Sequence, residues 1–166
     1  MKLEAKEDPD NLIRIKPTTI IESEEGFNIG KNTYIGHFGF IDASNKVTIK
    51  EGCQISNNVS IYTHSSHMSI RLYGKQYTFN SDLIGYKKGS VYIDKYTFVG
   101  CNVLIQPNTR IGKGCIVKAF SNVKGEFPDF SIIDGNPAKV IGSTKDLDKP
   151  YLDEHEILNQ YYNEWA

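Results

Sequence analysis

From Ile93 onward, every sixth residue is branched and aliphatic: Ile93, Val99, Ile105, Ile111, Val117 and Val123. The position four later is also restricted. It reads Thr97, Val103, Thr109, Cys115 and Ser121, all small or β-branched. The N-terminal half repeats the spacing in two frames, Ile29, Ile35, Ile41, Val47 and then Ile49, Ile55, Ile61, separated by a two-residue shift. A Gly follows the aliphatic residue at Gly30, Gly36, Gly100 and Gly112. A period of six matches neither the 3.6 of an amphipathic helix nor the 2 of an amphipathic strand. It fits short strands that turn a corner every six residues, each aliphatic side chain stacking on its counterpart one coil away. Small residues fill the narrow parts of the coil, and glycines permit the corner backbone. Cys53 and Cys115 fall in the small-residue slot and read as inert packing residues.

Two segments break the period. Between Ile61 and Val91 it vanishes into a polar, aromatic and basic stretch, residues 62–90. A loop of that length inside a compact domain is usually functional. Beyond Gly142 the composition shifts again, with Pro150 at a helix-start position and Leu158, Tyr161, Tyr162 and Trp165 on one helical face. The expected layout is an N-terminal cap at 1–26, coils over 27–142 and a tail with a helix over 143–166.

Composition narrows the partners. Nineteen Lys and Arg against 20 Asp and Glu leave a net charge of −1, which gives no basic footprint for nucleic acid. No apolar run approaches the ~18 residues of a spanning helix, so membrane insertion is not expected. The opening MKLEAKEDPDN lacks the apolar region of a secretory leader. Three Cys without a CxxC pair fit a reducing cytoplasm better than a disulfide scaffold.

The I-G-x-x-x-x units at Ile29-Gly30 and Ile111-Gly112 resemble those of the hexapeptide-repeat acyltransferases. The segment 132–142, IIDGNPAKVIG, resembles the G-N-P-A-[KR]-x-[IV] ending of the same family. The resemblance implies an all-β chain, a left-handed parallel β-helix with one long projecting loop and a C-terminal α-helix. It also implies a homotrimer that moves an acetyl group from acetyl-CoA to a sugar hydroxyl or amine, with a nucleotide-linked sugar among the candidate acceptors and no metal. The sugar would be one of surface-polysaccharide or nucleotide-sugar synthesis.

In such an enzyme a His is the general base on the acceptor. Imidazole titrates near neutrality, so it can take a proton from the nucleophile and return it to the thiolate. His64 and His67 lie at the start of the long loop. Counting from Ile61, with a one-residue insertion, places His67 first and His64 second. His37 and Asp42 are candidate acceptor contacts, and a carboxylate at Asp42 could orient the base. Arg71 and Tyr73, with Lys75, Tyr77, Tyr86, Lys87 and Lys88, form a basic, aromatic loop suited to a phosphorylated sugar or to a subunit interface. For coenzyme A, the resemblance points to small late-coil residues, Gly100, Ala119 and Ser121, beside the pantetheine arm. Lys118, Lys124 and Lys139 would meet the phosphates. Lys124 stands one place earlier than in many relatives. His155 reads as a solvent-facing residue of the tail.

Two other classes share the scaffold. A zinc-dependent β-helix protein resembling the γ-class carbonic anhydrases would use His37, His64 and His67, although this chain has HxxH where that family resembles HxxxxH. A non-catalytic β-helix assembly subunit would bind no acyl-CoA.

Overall fold

The computed structural model describes residues 6–8 and 10–166, with side chains from residue 10 onward. The part of the expected cap at residues 1–5 and 9 lies outside the described residues. Strand β1 (Lys6–Asp8) runs antiparallel to β2 (Ile13–Ile15). From β2 the chain winds in coils. The first coil holds β2, β3 (Ile20–Glu22) and β4 (Phe27–Ile29). The second holds β5 (Tyr34–Ile35), β6 (Phe40–Asp42) and β7 (Val47–Ile49).

The third coil starts with β8 (Gln54–Ile55) and β9 (Ser60–Ile61). An excursion follows, with β10 (His64–Ser65), helix α1 (Ser69–Tyr73), a 3-10 segment (Gly74–Phe79) and β11 (Lys87–Lys88). The coil closes with β12 (Val91–Ile93). The fourth coil is β13 (Phe98–Val99) and the long β14 (Leu104–Ile111); the fifth is β15 (Ile116–Val117) and β16 (Asn122–Phe127). Strands β17 (Ser131–Gly135) and β18 (Ala138–Ser143) form a terminal antiparallel pair.

Three parallel ladders result. The first runs β2-β5-β8-β13-β15-β17. The second runs β3-β6-β9-β14-β16. The third runs β4-β7-β12-β14-β16, so β14 and β16 each serve two faces. The six-residue repeat visits these ladders in rotation. Ile93 and Ile111 stack on the third, Val99 and Val117 on the first, Ile105 and Val123 on the second, and all six are buried. The small set, Thr97, Val103, Thr109, Cys115 and Ser121, is buried beside them. Each fully buried Ile or Val contributes about 1.5–3 kcal/mol, so the core is a column of modest, repeated gains.

The glycines serve a different purpose from the one expected. Gly36 and Gly100 do not take up the left-handed backbone; that conformation falls on Phe38 and Asn102, two residues later. A Cβ on Gly36 would stand 2.8 Å from Asn57 N, and one on Gly100 2.7 Å from Ala119 N. These glycines let adjacent coils touch.

Two boundaries move. The coils begin at β2, because β2 and β3 already pair with β5 and β6, so part of the segment expected as a cap is the first coil. The tail is two helices, α2 (Thr144–Glu154) and α3 (Glu156–Asn163). Helix α2 starts at Thr144 and not at Pro150. Ser143 caps it by accepting from the Lys145 N–H, and Pro150 lies inside it. Trp165 docks the tail on the coils, its ring 4.6 Å from Tyr96 and 5.9 Å from Phe130. Among the described residues, no helix is long and apolar enough to cross a membrane.

Candidate active site

The corner between the second and third ladders is where the coils differ most. From Ile105 to Ile111 is six residues, but from Ile41 to Ile49 is eight. The two extra residues give the second coil a small loop, Ala43 to Lys46, that reaches the coil above. Asn45 donates its N–H to Thr63 Oγ1 at 3.0 Å. Ser44 Oγ lies 3.3 Å from both Thr63 Oγ1 and His64 Nδ1.

At the root of this loop stands Asp42, whose side chain is 2% exposed. Its Oδ1 accepts the Ser44 N–H at 3.0 Å. Its Oδ2 accepts the Thr63 N–H and the Thr63 hydroxyl, both at 2.9 Å, and lies 2.7 Å from His64 Nδ1. Burial pushes the Asp42 carboxyl up, but the hydrogen bonds from Ser44 and Thr63 outweigh it and hold it well below the usual carboxylate range. An ionised carboxylate can only accept, so Nδ1 of the neutral imidazole carries the proton. Nε2 is then left with its lone pair, and the side chain is 37% exposed. This is the arrangement of an oriented general base.

The structure treats the two histidines differently. His67 is exposed, and among the described residues its Nδ1 meets only Ser65 Oγ, at 2.8 Å. His64, ranked second by counting from Ile61, is the one held by a buried carboxylate. Asp42 is brought to the site, against His64 Nδ1. Ser44 and Thr63 were not anticipated. His37 lies at the corner between the first and second ladders, its Nδ1 2.9 Å from Thr18 Oγ1. His37 and His64 are therefore at different corners, and no group of three His, Cys, Asp or Glu among the described residues is arranged to hold a metal.

In the excursion, the Tyr73 hydroxyl is committed internally. It accepts the Ile84 N–H at 3.0 Å and lies 3.4 Å from the Asp82 carbonyl oxygen. Arg71 is exposed and donates to Met68 Sδ. The Tyr86 ring stacks on His64. Beside it, Ser81, Asp82, Leu83, Tyr86 and Lys88 line a cleft of about 510 Å³.

The residues expected around coenzyme A are divided. Gly100, Lys118, Ala119 and Ser121 sit at the corner between the first and second ladders, the far edge of the second face from His64. Gly100 and Ser121 are buried; Ser121 Oγ accepts the Gly135 N–H at 3.2 Å. Lys118 is paired with Asp134 at 2.8 Å, which takes up the charge reserved for a phosphate. Ala119 is exposed, as are Lys124, on the corner that carries His64, and Lys139, on β18.

The chain is a three-faced stack of parallel coils with an oriented histidine at one corner. No family model matches the chain. It is 30% identical over 132 residues to the dTDP-4-amino-4,6-dideoxy-D-glucose acyltransferase of Escherichia coli, covering 79% of this chain and 68% of that protein. Solved structures agree in fold. A hexapeptide-repeat acetyltransferase from Vibrio cholerae, complexed with acetyl-CoA, matches with a TM-score of 0.67 at 22% identity, over 78% of this chain and 66% of that one. A mutant N-acyltransferase from Bacillus cereus, in complex with dTDP-4-amino-4,6-dideoxyglucose and coenzyme A, matches with a TM-score of 0.67 at 22% identity, over 86% and 78%. The chain belongs to the hexapeptide-repeat acyltransferase family. It spans about two thirds of the length of the curated relatives it matches.

Proposed function

We propose that this protein transfers an acetyl group from acetyl-CoA to a hydroxyl or amine of a sugar, with His64 as general base. The observation that carries the reading is the 2.7 Å contact between His64 Nδ1 and the buried Asp42. His64 Nε2 takes the proton from the acceptor as its oxygen or nitrogen bonds to the thioester carbonyl carbon. The C–S bond then breaks, and the imidazolium returns the proton to the departing thiolate. Asp42 holds the tautomer and stabilises the imidazolium while it exists. His67 has no such partner and is assigned no proton-transfer step.

The acceptor class follows the relatives. The Escherichia coli protein is named for a dTDP-linked amino sugar, and the Bacillus cereus structure holds one beside coenzyme A. An acceptor of that kind would enter the cleft at Ser81–Lys88, where Lys88 suits a phosphate.

The separation of His64 from Ala119 and Lys118 supports a homotrimer. Three copies of a left-handed coil stack, side by side, would bring one copy's His64 corner to the neighbour's Ala119 corner. Lys124 and Lys139, neither paired with an acid among the described residues, are the remaining phosphate candidates; Lys118 would first have to leave Asp134. The setting is the cytoplasm.

The test is purified wild type, His64→Ala and His67→Ala with acetyl-CoA and dTDP-, UDP- or GDP-linked amino sugars, following free thiol. His64→Ala should lose at least ~10²-fold in rate and His67→Ala should keep most of it. The reverse pattern sinks the assignment of the base, and no thiol release from any acceptor sinks the reading itself.

A further inference from the structure

His64 Nδ1 is held by Asp42, but a hydrogen bond at one nitrogen does not fix an imidazole. The terminal torsion of a His side chain is broad, so the ring can swing about the bond to its ring carbon while keeping Nδ1 near an acceptor. Something must set the ring plane if Nε2 is to meet an acceptor at a fixed angle.

The hairpin of the excursion supplies it. Strands β10 and β11 pair antiparallel with His64 opposite Lys88 and Ser65 opposite Lys87. Directly opposed residues share a face, and so does the residue two before Lys88, which is Tyr86. Tyr86 is turned back toward the coil at Gly85, whose φ is +85°, and its N–H donates to the Leu83 carbonyl at 3.1 Å. The Tyr86 ring lies nearly parallel to the imidazole, 8° between planes and 5.6 Å between centroids, an offset stack. The Lys88 ammonium lies over the same tyrosine, 5.6 Å from its centroid. Tyr86 is half-buried in an excursion whose other residues are mostly exposed.

We propose that Tyr86 is a positioning residue for His64: its ring sets the plane of the imidazole that Asp42 orients, and the same ring walls the adjoining cleft. The inference rests on the proposed acyl transfer and extends it. The base is then fully aligned only when the segment 81–88 is seated, so alignment of the base and closure of the cleft become one event. The reacting nitrogen gains its angle from a residue that takes no proton itself. Misplacement by about 1 Å can cost ~10²-fold in rate.

The experiment compares Tyr86→Phe, Tyr86→Leu and Tyr86→Ala with wild type and His64→Ala. Phenylalanine keeps the stack and should retain kcat within about twofold; alanine should lower kcat ~10-fold or more while the KM for acetyl-CoA stays within about twofold. The double variant His64→Ala/Tyr86→Ala should be no slower than His64→Ala, because residues acting as a unit are non-additive. A second readout does not depend on turnover. The His64 ring-proton resonances should shift upfield in wild type and Tyr86→Phe relative to Tyr86→Leu and Tyr86→Ala. Tyr86→Ala at wild-type kcat beside an inactive His64→Ala, or His64 resonances indifferent to the substitutions, overturns the inference alone. A wild type without acyl transfer, or His64→Ala at wild-type rate, overturns the functional reading instead, and the resonances still decide the stack.

Discussion

Thr63 donates to Asp42 twice, through its backbone N–H and its hydroxyl, both reaching Oδ2 at 2.9 Å. His64 meets the same oxygen at 2.7 Å. One buried atom therefore organises two consecutive residues, where the chain leaves the coil.

Asp42→Asn should separate catalysis from folding. An amide still accepts at its oxygen but presents donors on the other side, so the His64 tautomer is no longer dictated. We expect kcat to fall by roughly 10²–10⁴-fold, with stability lower by about 1–3 kcal/mol from bonds left unmade. Steady-state kinetics and urea unfolding on the same preparation check both. A variant that turns over at the wild-type rate removes Asp42 from the mechanism.

The same carboxylate predicts an acid dependence. Its folded pKa lies below the ordinary value of about 3.9, so its stabilisation is fully present above that value. It is lost as pH falls below about 4 toward the folded pKa. The gap in urea midpoint between wild type and Asp42→Asn should narrow from pH 5 toward pH 3. A gap that widens over that range contradicts the sign.

The cysteines should differ in reactivity. Burial pushes the Cys53 and Cys115 thiols up to about 11, whereas Cys101 is exposed. At pH 8 an aromatic disulfide reagent should find one fast thiol in the folded protein and three after denaturation. Cys101→Ser should abolish the fast phase, and two or more fast thiols would mean the coil interior is accessible.

Trp165 is the single tryptophan, and its ring contacts Tyr96, Phe130 and Tyr162. Its emission therefore reports docking of the tail. Tyr96→Ala should red-shift that emission and cost on the order of 1 kcal/mol, mostly as a lost aromatic pair. An unchanged spectrum would show that Tyr96 does not hold the tail.

Much of the fold was legible because a stacked coil writes its geometry into spacing. Ile93 through Val123 mark three ladders in turn, and the slip between Val47 and Ile49 marks an enlarged corner, where the site is. The choice between His64 and His67 was harder, because counting from Ile61 assumes the histidine continues its own coil. The stronger ruler is the coil length of 20 residues that pairs Ile41 with Ile61. It sets Ser44 beneath His64 and Asp42 beneath the Tyr62–Thr63 step. Tyr86 could not be found this way, since it reaches His64 through a hairpin that has no period. The lysines were misjudged in part because pairing is invisible in sequence; Lys118 and Asp134 are 16 residues apart and 2.8 Å distant in space.

The excursion hangs from the middle of the stack. Coils two and three, which carry Asp42 and Thr63, are each hydrogen-bonded to a coil on either side. In a stack, opening begins at the ends, where a coil has only one neighbour to lose. The carboxylate thus lies at the depth that unzips last. The segment that covers it is held largely by bonds within itself, and its far end is tied back where Gly89 donates its N–H to the Thr63 carbonyl at 2.9 Å and Asn108 Nδ2 donates to the Lys88 carbonyl at 3.2 Å. Cover and scaffold thus meet at Thr63, which also donates twice to Asp42, so the anchorage of the excursion and the hydrogen bonding of the carboxylate share one residue.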